Sequence, residues 1–409
     1  MSSVRFVSPW LDGVPKRRRP SYARHRGHLD VDVAIVGGGL TGYATAYAFA
    51  AAGIRVAILE ANLIGERGTA SASGFILPEP VAEFQSLAAL YGVRAARRIY
   101  RTSRRAALDF TATLRRLKIR CDLQSRQTIY FAAATSAEKP LRKEAQARRE
   151  AGLEAAWLTP RRLKSDAGIE SPGGILTSGD AQLDPYRACA GLAKAAEARG
   201  ALVFDRSPVR KVRSGRKAVD IKTDAGTVRA GIVIVATGGP GPEFRSLRRH
   251  FTFGHSYHVL TEPMPAAVRR QVGRRAAVLR DTESPPHTIG WTNDDRILFS
   301  GADQALVSSR LRDKVIVQRT GQLMYELSKL YPEVSGLQPA NGWDAPLVAT
   351  ADGVPFIGPH RNYPRHLFAF GFGRNGAGQA FLASRILLKT FLGETDPAHD
   401  IFAFARTLS

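Results

Sequence analysis

Cysteine is nearly missing from this chain: two in 409 residues, Cys121 and Cys189, far apart and outside any CxxC spacing. That excludes a disulfide framework and a cysteine-based metal site, and it fits a reducing, cytoplasmic setting. Long apolar runs are missing too. The longest, around residues 44–54, is too short and too closely flanked by glycine to cross a bilayer. Residues 16–19 (KRRR) lead into Pro20, Tyr22 and His25 rather than an apolar stretch, so no export signal is read and a cytoplasmic protein is expected. Acidic residues are scarce, 36 against 59 basic, for a formal charge of +23. Such an excess would suit a nucleic-acid partner. The basic residues are scattered, however, with local density at 16–19, 94–120 and 245–249, and no nucleic-acid motif accompanies them. A solvated, arginine-rich surface is the preferred reading. No paired carboxylates and no nucleophilic triad stand out, and no metal is expected.

What is present organises itself around residues 31–60. An apolar run at 31–36 breaks into Gly37-Gly38-Gly39-Leu40-Thr41-Gly42, a helix-like segment covers 40–52, and a second apolar run at 55–59 closes on Glu60. This reads as strand, tight turn, helix, strand, with glycine at the first, third and sixth positions of the turn. Gly37 permits the tight turn, Gly39 lets backbone N–H groups approach a pyrophosphate, and Gly42 lets helix and strand pack closely. The helix N-terminus, with Leu40 and Thr41 in its first turn, offers unpaired donors and partial positive charge to phosphates. Glu60, followed by Ala61, ends the second strand where a carboxylate accepts hydrogen bonds from a ribose diol. The pattern points to a dinucleotide and leaves NAD and FAD both open.

At 409 residues the chain is long for one core, and two domains are expected. Residues 1–29 read as an arm over the surface. The loop at 65–75, with Thr69, Ser71, Ser73 and Gly74, offers N–H groups and hydroxyls to a phosphate or a ring system. Residues 81–117 are helical, with Leu87, Leu90, Val93, Ala96, Ala106, Phe110 and Leu114 recurring at three and four. A strand at 128–132 and a helix at 137–151 follow. Asp184 caps a helix that opens on Pro185 and runs to Arg199. Short strands at 209–212 (beginning at Val209), 218–222 and 226–230 form a small meander. A buried strand at 231–239 ends in Ala236-Thr237-Gly238, whose turn would run beside the same nucleotide. Residues 253–261 alternate, with His255, Tyr257 and Val259 on one side and Ser256, His258 and Leu260 on the other. A helix at 314–330 should turn Val317, Leu323, Leu327 and Leu330 inward. The strand at 366–370 then enters a second glycine-rich turn, 371–378, and a helix at 379–392 whose N-terminus would stabilise negative charge.

Residues 31–60, Ala236-Thr237-Gly238, the DGVPFIG run at 352–358 and the last glycine-rich turn occur together in this order. From about Trp10 onward the chain resembles the D-amino-acid oxidase and glycine oxidase family of FAD-dependent oxidoreductases. SPWLDGVP, GERGTASASGFIL, HVLTEP and WTNDDRILFSGAD are similar to the subgroup around gamma-glutamylputrescine oxidase. The resemblance implies an α/β fold: a Rossmann-like FAD-binding domain (30–80, 155–245, 340–409) interleaved with an α+β substrate domain on an antiparallel sheet (81–154, 246–339). It implies FAD with its ADP half on Gly37, Gly39, Gly42 and Glu60. Residues 69–74 and 371–378, including Gly373, Arg374, Asn375, Gly376 and Gly378, would border the isoalloxazine. With no cysteine near the last turn, the flavin is expected to be non-covalent.

In that family an amine C–H gives a hydride equivalent to the flavin and the resulting imine hydrolyses. Tyr257, His258 and Arg374 are the expected substrate-facing residues; His258 also reads as a hydrogen-bonded structural histidine. The partners would be a small amine or amino acid, with oxygen or a quinone as electron acceptor. Three departures stand against a plain D-amino acid or glycine as substrate. Leu347-Val348 replace an Arg-Pro pair, Gly373-Arg374-Asn375-Gly376 replace Gly-His-Gly, and Thr69-Ala70-Ser71-Ala72 replace Ser-Gly-Arg-Asn. Two rival readings stay open: an RNA-modifying flavoprotein acting on an aminomethyl group, and an NAD-dependent dehydrogenase.

Overall fold

The computed structural model describes residues 4–273 and 275–407. The first apolar run becomes a ten-residue strand, Gly27–Val36, in which Val33, Ala34 and Ile35 have no exposed surface. A strand covered on both faces reads as an unbroken apolar run, and this one lies inside an eight-stranded sheet. Across that sheet the order is Phe356–His360, Tyr363–Phe370, Gly226–Gly238, Gly27–Val36, Val56–Leu59 and Leu202–Phe204. Along this order the inner pairings are parallel and the Phe356–His360 edge is antiparallel. Helices Leu40–Ala51, Pro185–Glu197 and Gly376–Leu392 pack over one face and share a single apolar core with the strands. The expected meander is present as Lys211–Ser214 and Val219–Lys222 against Gly226–Gly238. Gly226–Gly238 is one strand of 13 residues where two were expected. Gly231 does not interrupt it, because the missing side chain lets the Asp32 carbonyl come within 3.0 Å of where a Cβ would stand.

The second sheet has nine strands. Its order is Pro339–Ala349, Thr252–Thr261, Ile297–Ala305, Thr288–Trp291, Ala277–Asp281, Gln124–Phe131, Gly174–Gln182 and Phe75–Ile76, with Ala156–Leu158 also on Gly174–Gln182. All its pairings are antiparallel except that of Gln124–Phe131 with Ala277–Asp281. Sheet membership cuts across the expected division of the chain. Strands Phe75–Ile76, Ala156–Leu158, Gly174–Gln182 and Pro339–Ala349 lie in segments assigned to the nucleotide domain, yet they belong to this sheet. A two-residue strand carries no periodicity, and Pro339–Ala349 takes its place by pairing along the whole of Thr252–Thr261, a long-range partnership that local pattern does not announce.

Two helix faces also differ from expectation. Phe84–Arg116 passes through Gly92 at φ +80°, which breaks the helical phase. Leu87, Ala96, Ala106, Phe110 and Leu114 point inward as expected, but Leu90 and Val93, on either side of the break, are 62% and 57% exposed. In Arg312–Leu330 the inward stripe is Ile316, Thr320, Leu323 and Leu327, leaving Val317 exposed. The Pro185–Glu197 helix begins as read, with the Asp184 carboxylate accepting from the Arg187 amide at 2.9 Å, and ends two residues earlier. The N-terminal arm holds a one-turn helix, Pro9–Asp12, pinned where the Trp10 indole donates to the Ala72 carbonyl at 2.8 Å; its last residues, from Gly27, start the central strand. Among the described residues no helix is long and apolar enough to cross a membrane.

Candidate active site

The first glycine turn is shaped by what its neighbours leave no room for. Gly37 sits at φ +110°, and a Cβ there would lie 2.7 Å from the Ala236 carbonyl oxygen. The two glycine-bearing strand ends, 37 and 236, therefore touch through backbone. At Gly42 a Cβ would lie 2.0 Å from the Gly37 oxygen and 3.0 Å from the Ile58 side chain, so the helix sits directly on the turn and the second strand. Glu60, at the end of Val56–Leu59, receives the Gly38 amide on Oε2 at 2.7 Å and the Asn62 amide on Oε1 at 2.8 Å. The Thr69 hydroxyl accepts from the Leu40 amide at 2.8 Å and so caps the helix entrance. The Ser207 amide donates to the Glu60 carbonyl at 2.7 Å, and Val209, two residues on, is half-buried. Thr237 and Gly238 are exposed at the end of their strand, and Ala61 is exposed beyond Glu60.

The second glycine turn meets the inner face of the nine-stranded sheet. Because side chains alternate along a strand, Tyr257 and His258 point to opposite faces. Tyr257 lies with Phe299 and Leu323 in the core under the Arg312–Leu330 helix, its hydroxyl accepting from Gln304 Nε2 at 2.9 Å. That face looks away from the turn, so of the residues expected to face the substrate Tyr257 lies apart from His258. His258 is on the inner face. Its Nδ1 is 2.7 Å from Ser300 Oγ, its ring lies 5.2 Å from that of Trp343, and its Nε2 is buried without a partner. Burial, reinforced by the Arg374 cation, pushes its pKa down to about 3, so the imidazole is neutral. Arg374 is half-buried and doubly ion-paired with Asp303, Nε to Oδ2 at 2.7 Å and Nη2 to Oδ1 at 2.5 Å. The Trp343 indole donates to the Ser71 carbonyl at 2.9 Å, tying the sheet to the loop after Glu60. Farther along the same sheet, the Thr128 hydroxyl donates to Asp180 Oδ1 at 2.5 Å, while Asp180 Oδ2 and Gln182 Oε1 are buried without partners. Burial holds the Asp180 carboxyl well above the usual carboxylate range.

Compared with known proteins, residues 32–390 match the family described as DAO, FAD dependent oxidoreductase. This chain belongs to that family. Among its relatives, a gamma-glutamylputrescine oxidoreductase of Escherichia coli is 25% identical over 92% of this chain and 86% of its own length. A glycine oxidase of Bacillus subtilis is 24% identical over 84% of this chain and 88% of its own. The solved structure of glycine oxidase from Geobacillus kaustophilus superposes with a TM-score of 0.77 at 20% identity, covering 92% of this chain and 98% of that one.

FAD is the cofactor of this oxidoreductase, and the reading as an NAD-dependent dehydrogenase falls away. The chain's own residues fit it. Gly37, Gly39 and Gly42 leave a backbone cradle that a Cβ would fill, Leu40 and Thr41 open a helix whose first-turn amides lack intrahelical acceptors, and the Glu60 carboxylate closes the strand end. Not every expected contact residue keeps a free side chain. Asn375 is 1% exposed, and its amide is consumed by the Leu77 amide and the Leu77 and Glu79 carbonyls. It fastens residues 77–79 to the turn that Gly373, Gly376 and Gly378 form. The Ser71 hydroxyl turns back onto the Arg67 carbonyl, and Gly74 is packed against Leu183, where a Cβ would meet the carbonyl at 2.3 Å; Ser73 is half-buried. Trp343, Ser300, Asp303 and the Asp180–Gln182 pair were not singled out by sequence reasoning. Only Ser300 and Asp303 carried a signal, since both lie within the WTNDDRILFSGAD block that supports the family resemblance.

Proposed function

We propose that this enzyme oxidises a C–N bond of a small amine or amino-acid-type donor, with FAD held non-covalently. When bound, FAD supplies the acceptor for a hydride equivalent; the protein supplies position, dryness and charge. The observation that carries the reading is the buried inner face, where neutral His258, Trp343 and the closed Arg374–Asp303 pair stand against the second glycine turn. Such a face excludes water and fixes a planar ring without needing a dedicated acid–base pair. His258 Nε2, buried and unpartnered, is placed to hold a polar atom of cofactor or substrate. The glycine oxidase and gamma-glutamylputrescine oxidoreductase relatives carry names of the same reaction class. Two free, buried cysteines favour a reducing compartment such as the cytoplasm, and the electron acceptor is proposed to be oxygen or a quinone. The test is anaerobic mixing of the yellow protein with N-alkyl amino acids, D- and L-amino acids and gamma-glutamyl amines. Bleaching of the flavin band by one of these classes is expected; a flavin that none of them reduces would overturn the proposal.

A further inference from the structure

Two guanidinium groups approach the second glycine turn, and their charges are disposed of differently. Arg374 is ion-paired with Asp303 at two points, so its charge is balanced within the protein. Arg280 stands in the middle of the nine-stranded sheet, on Ala277–Asp281, two residues from Val278 and so on the same inner face as Leu298 and Trp343. Its Nη2 donates to the Val81 carbonyl at 2.9 Å, and its guanidinium lies 5.1 Å from the centroid of the Tyr130 ring. Val81 borders the turn itself, its side chain 3.7 Å from where a Cβ on Gly373 would stand. Arg280 is close enough to Arg374 to disfavour the charge of Arg374.

Among the described residues no carboxylate lies within ion-pair distance of Arg280; Glu83, beside the same ring, is taken by the Tyr130 hydroxyl at 2.7 Å. A half-buried guanidinium with one carbonyl and one ring for company leaves most of its N–H fork unanswered, which a carboxylate answers with two parallel bonds.

We propose that Arg280 receives the carboxylate of an amino-acid-type substrate, while Arg374–Asp303 remains a closed internal pair. This rests on the reading of the site as an amine-oxidising flavin site and narrows its substrate to donors bearing a carboxylate. The test uses FAD-loaded protein, with benzoate as probe and benzamide, of the same shape without the charge, as its control, followed by the change in flavin absorbance. Benzoate should bind the parent protein more tightly than benzamide. Arg280→Gln should weaken benzoate on the order of a hundredfold, to the level of benzamide, and leave benzamide unchanged. Arg280→Lys, which keeps the charge and loses the fork, should fall between and serves if the glutamine variant does not retain flavin. In anaerobic bleaching, the KM for an N-methyl amino acid should rise in parallel while that for the matching N-methylamine stays put. Equal weakening of benzoate and benzamide, or none, overturns the assignment of Arg280. Failure of the broader reading looks different: no C–N donor would bleach the parent protein at all.

Discussion

At the scale of the residue, the positions that matter are those whose neighbours forbid substitution or ionisation. Gly37→Ala would set a Cβ 2.7 Å from the Ala236 oxygen at a φ of +110°. Strain of about 1–3 kcal/mol is expected, relieved only by opening the cradle, so the purified variant should carry little flavin by its absorbance ratio. A variant that retains full flavin would show that the two strand ends do not need to touch. His258 makes the opposite kind of prediction. Unfolded, it takes a proton near pH 6.5; folded, only near 3. Between those values the unfolded chain binds more protons, so this residue's contribution to stability is complete above pH 6.5 and is lost as pH falls through the window. His258→Gln should therefore destabilise the protein less at pH 4.5 than at 7.5, measured as Tm against the parent. It should also leave any activity limb between pH 5 and 9 in place. The tight turn at Gly37 and the close packing at Gly42 were legible in the sequence because GxGxxG spacing reflects backbone geometry alone. The environments of His258 and Tyr257 were not, since which face of a strand meets the turn is decided by packing some hundred residues away.

Elements were read well where their order is local and poorly where it is imposed. The strand–turn–helix–strand unit and the Asp184-capped helix appear in place, because each is fixed by its own caps and periodicity, although the first strand begins four residues before its expected start at Val31. Phe84–Arg116 shows the limit: one glycine resets the phase and exposes Leu90 and Val93. Its start is set by a residue from another helix. Glu144, fully buried on Thr135–Glu150, accepts from the amides of Phe84 at 2.7 Å and Gln85 at 3.0 Å and pairs with Arg148 at 2.7 Å. Arg148 in turn reaches Glu79 at 2.7 Å and the Tyr100 hydroxyl at 3.2 Å. No capping residue in the sequence of the long helix announces this arrangement. Glu144→Gln keeps the shape but leaves Arg148 short of a counter-charge, so a loss of about 3 kcal/mol is expected by denaturant unfolding. A loss below about 0.5 kcal/mol would mean that Glu79 alone compensates the guanidinium.

The whole molecule is two sheets laced together by chain that crosses between them, and the proposed cofactor site lies on the lacing. The dinucleotide fingerprint comes from residues 37–42 and 60, the adjoining strand end from 236–238, and the second glycine turn from 371–378. The two sheets are held to each other where Trp343 meets Ser71 and where Asn375 binds Leu77 and Glu79. Neither sheet's unfolding can leave the site intact, because each turn depends on contacts with the segments that enter the other sheet. FAD should therefore stabilise the protein as a unit. With free FAD about a thousandfold above its Kd, linkage gives about 4 kcal/mol. In a chain of this size that is a rise of several degrees in Tm. Scanning calorimetry should show one transition that moves upward as FAD is added back to flavin-free protein. Two transitions, of which only one moves, would mean that the nucleotide sheet melts by itself and that the cross-ties carry little of the coupling.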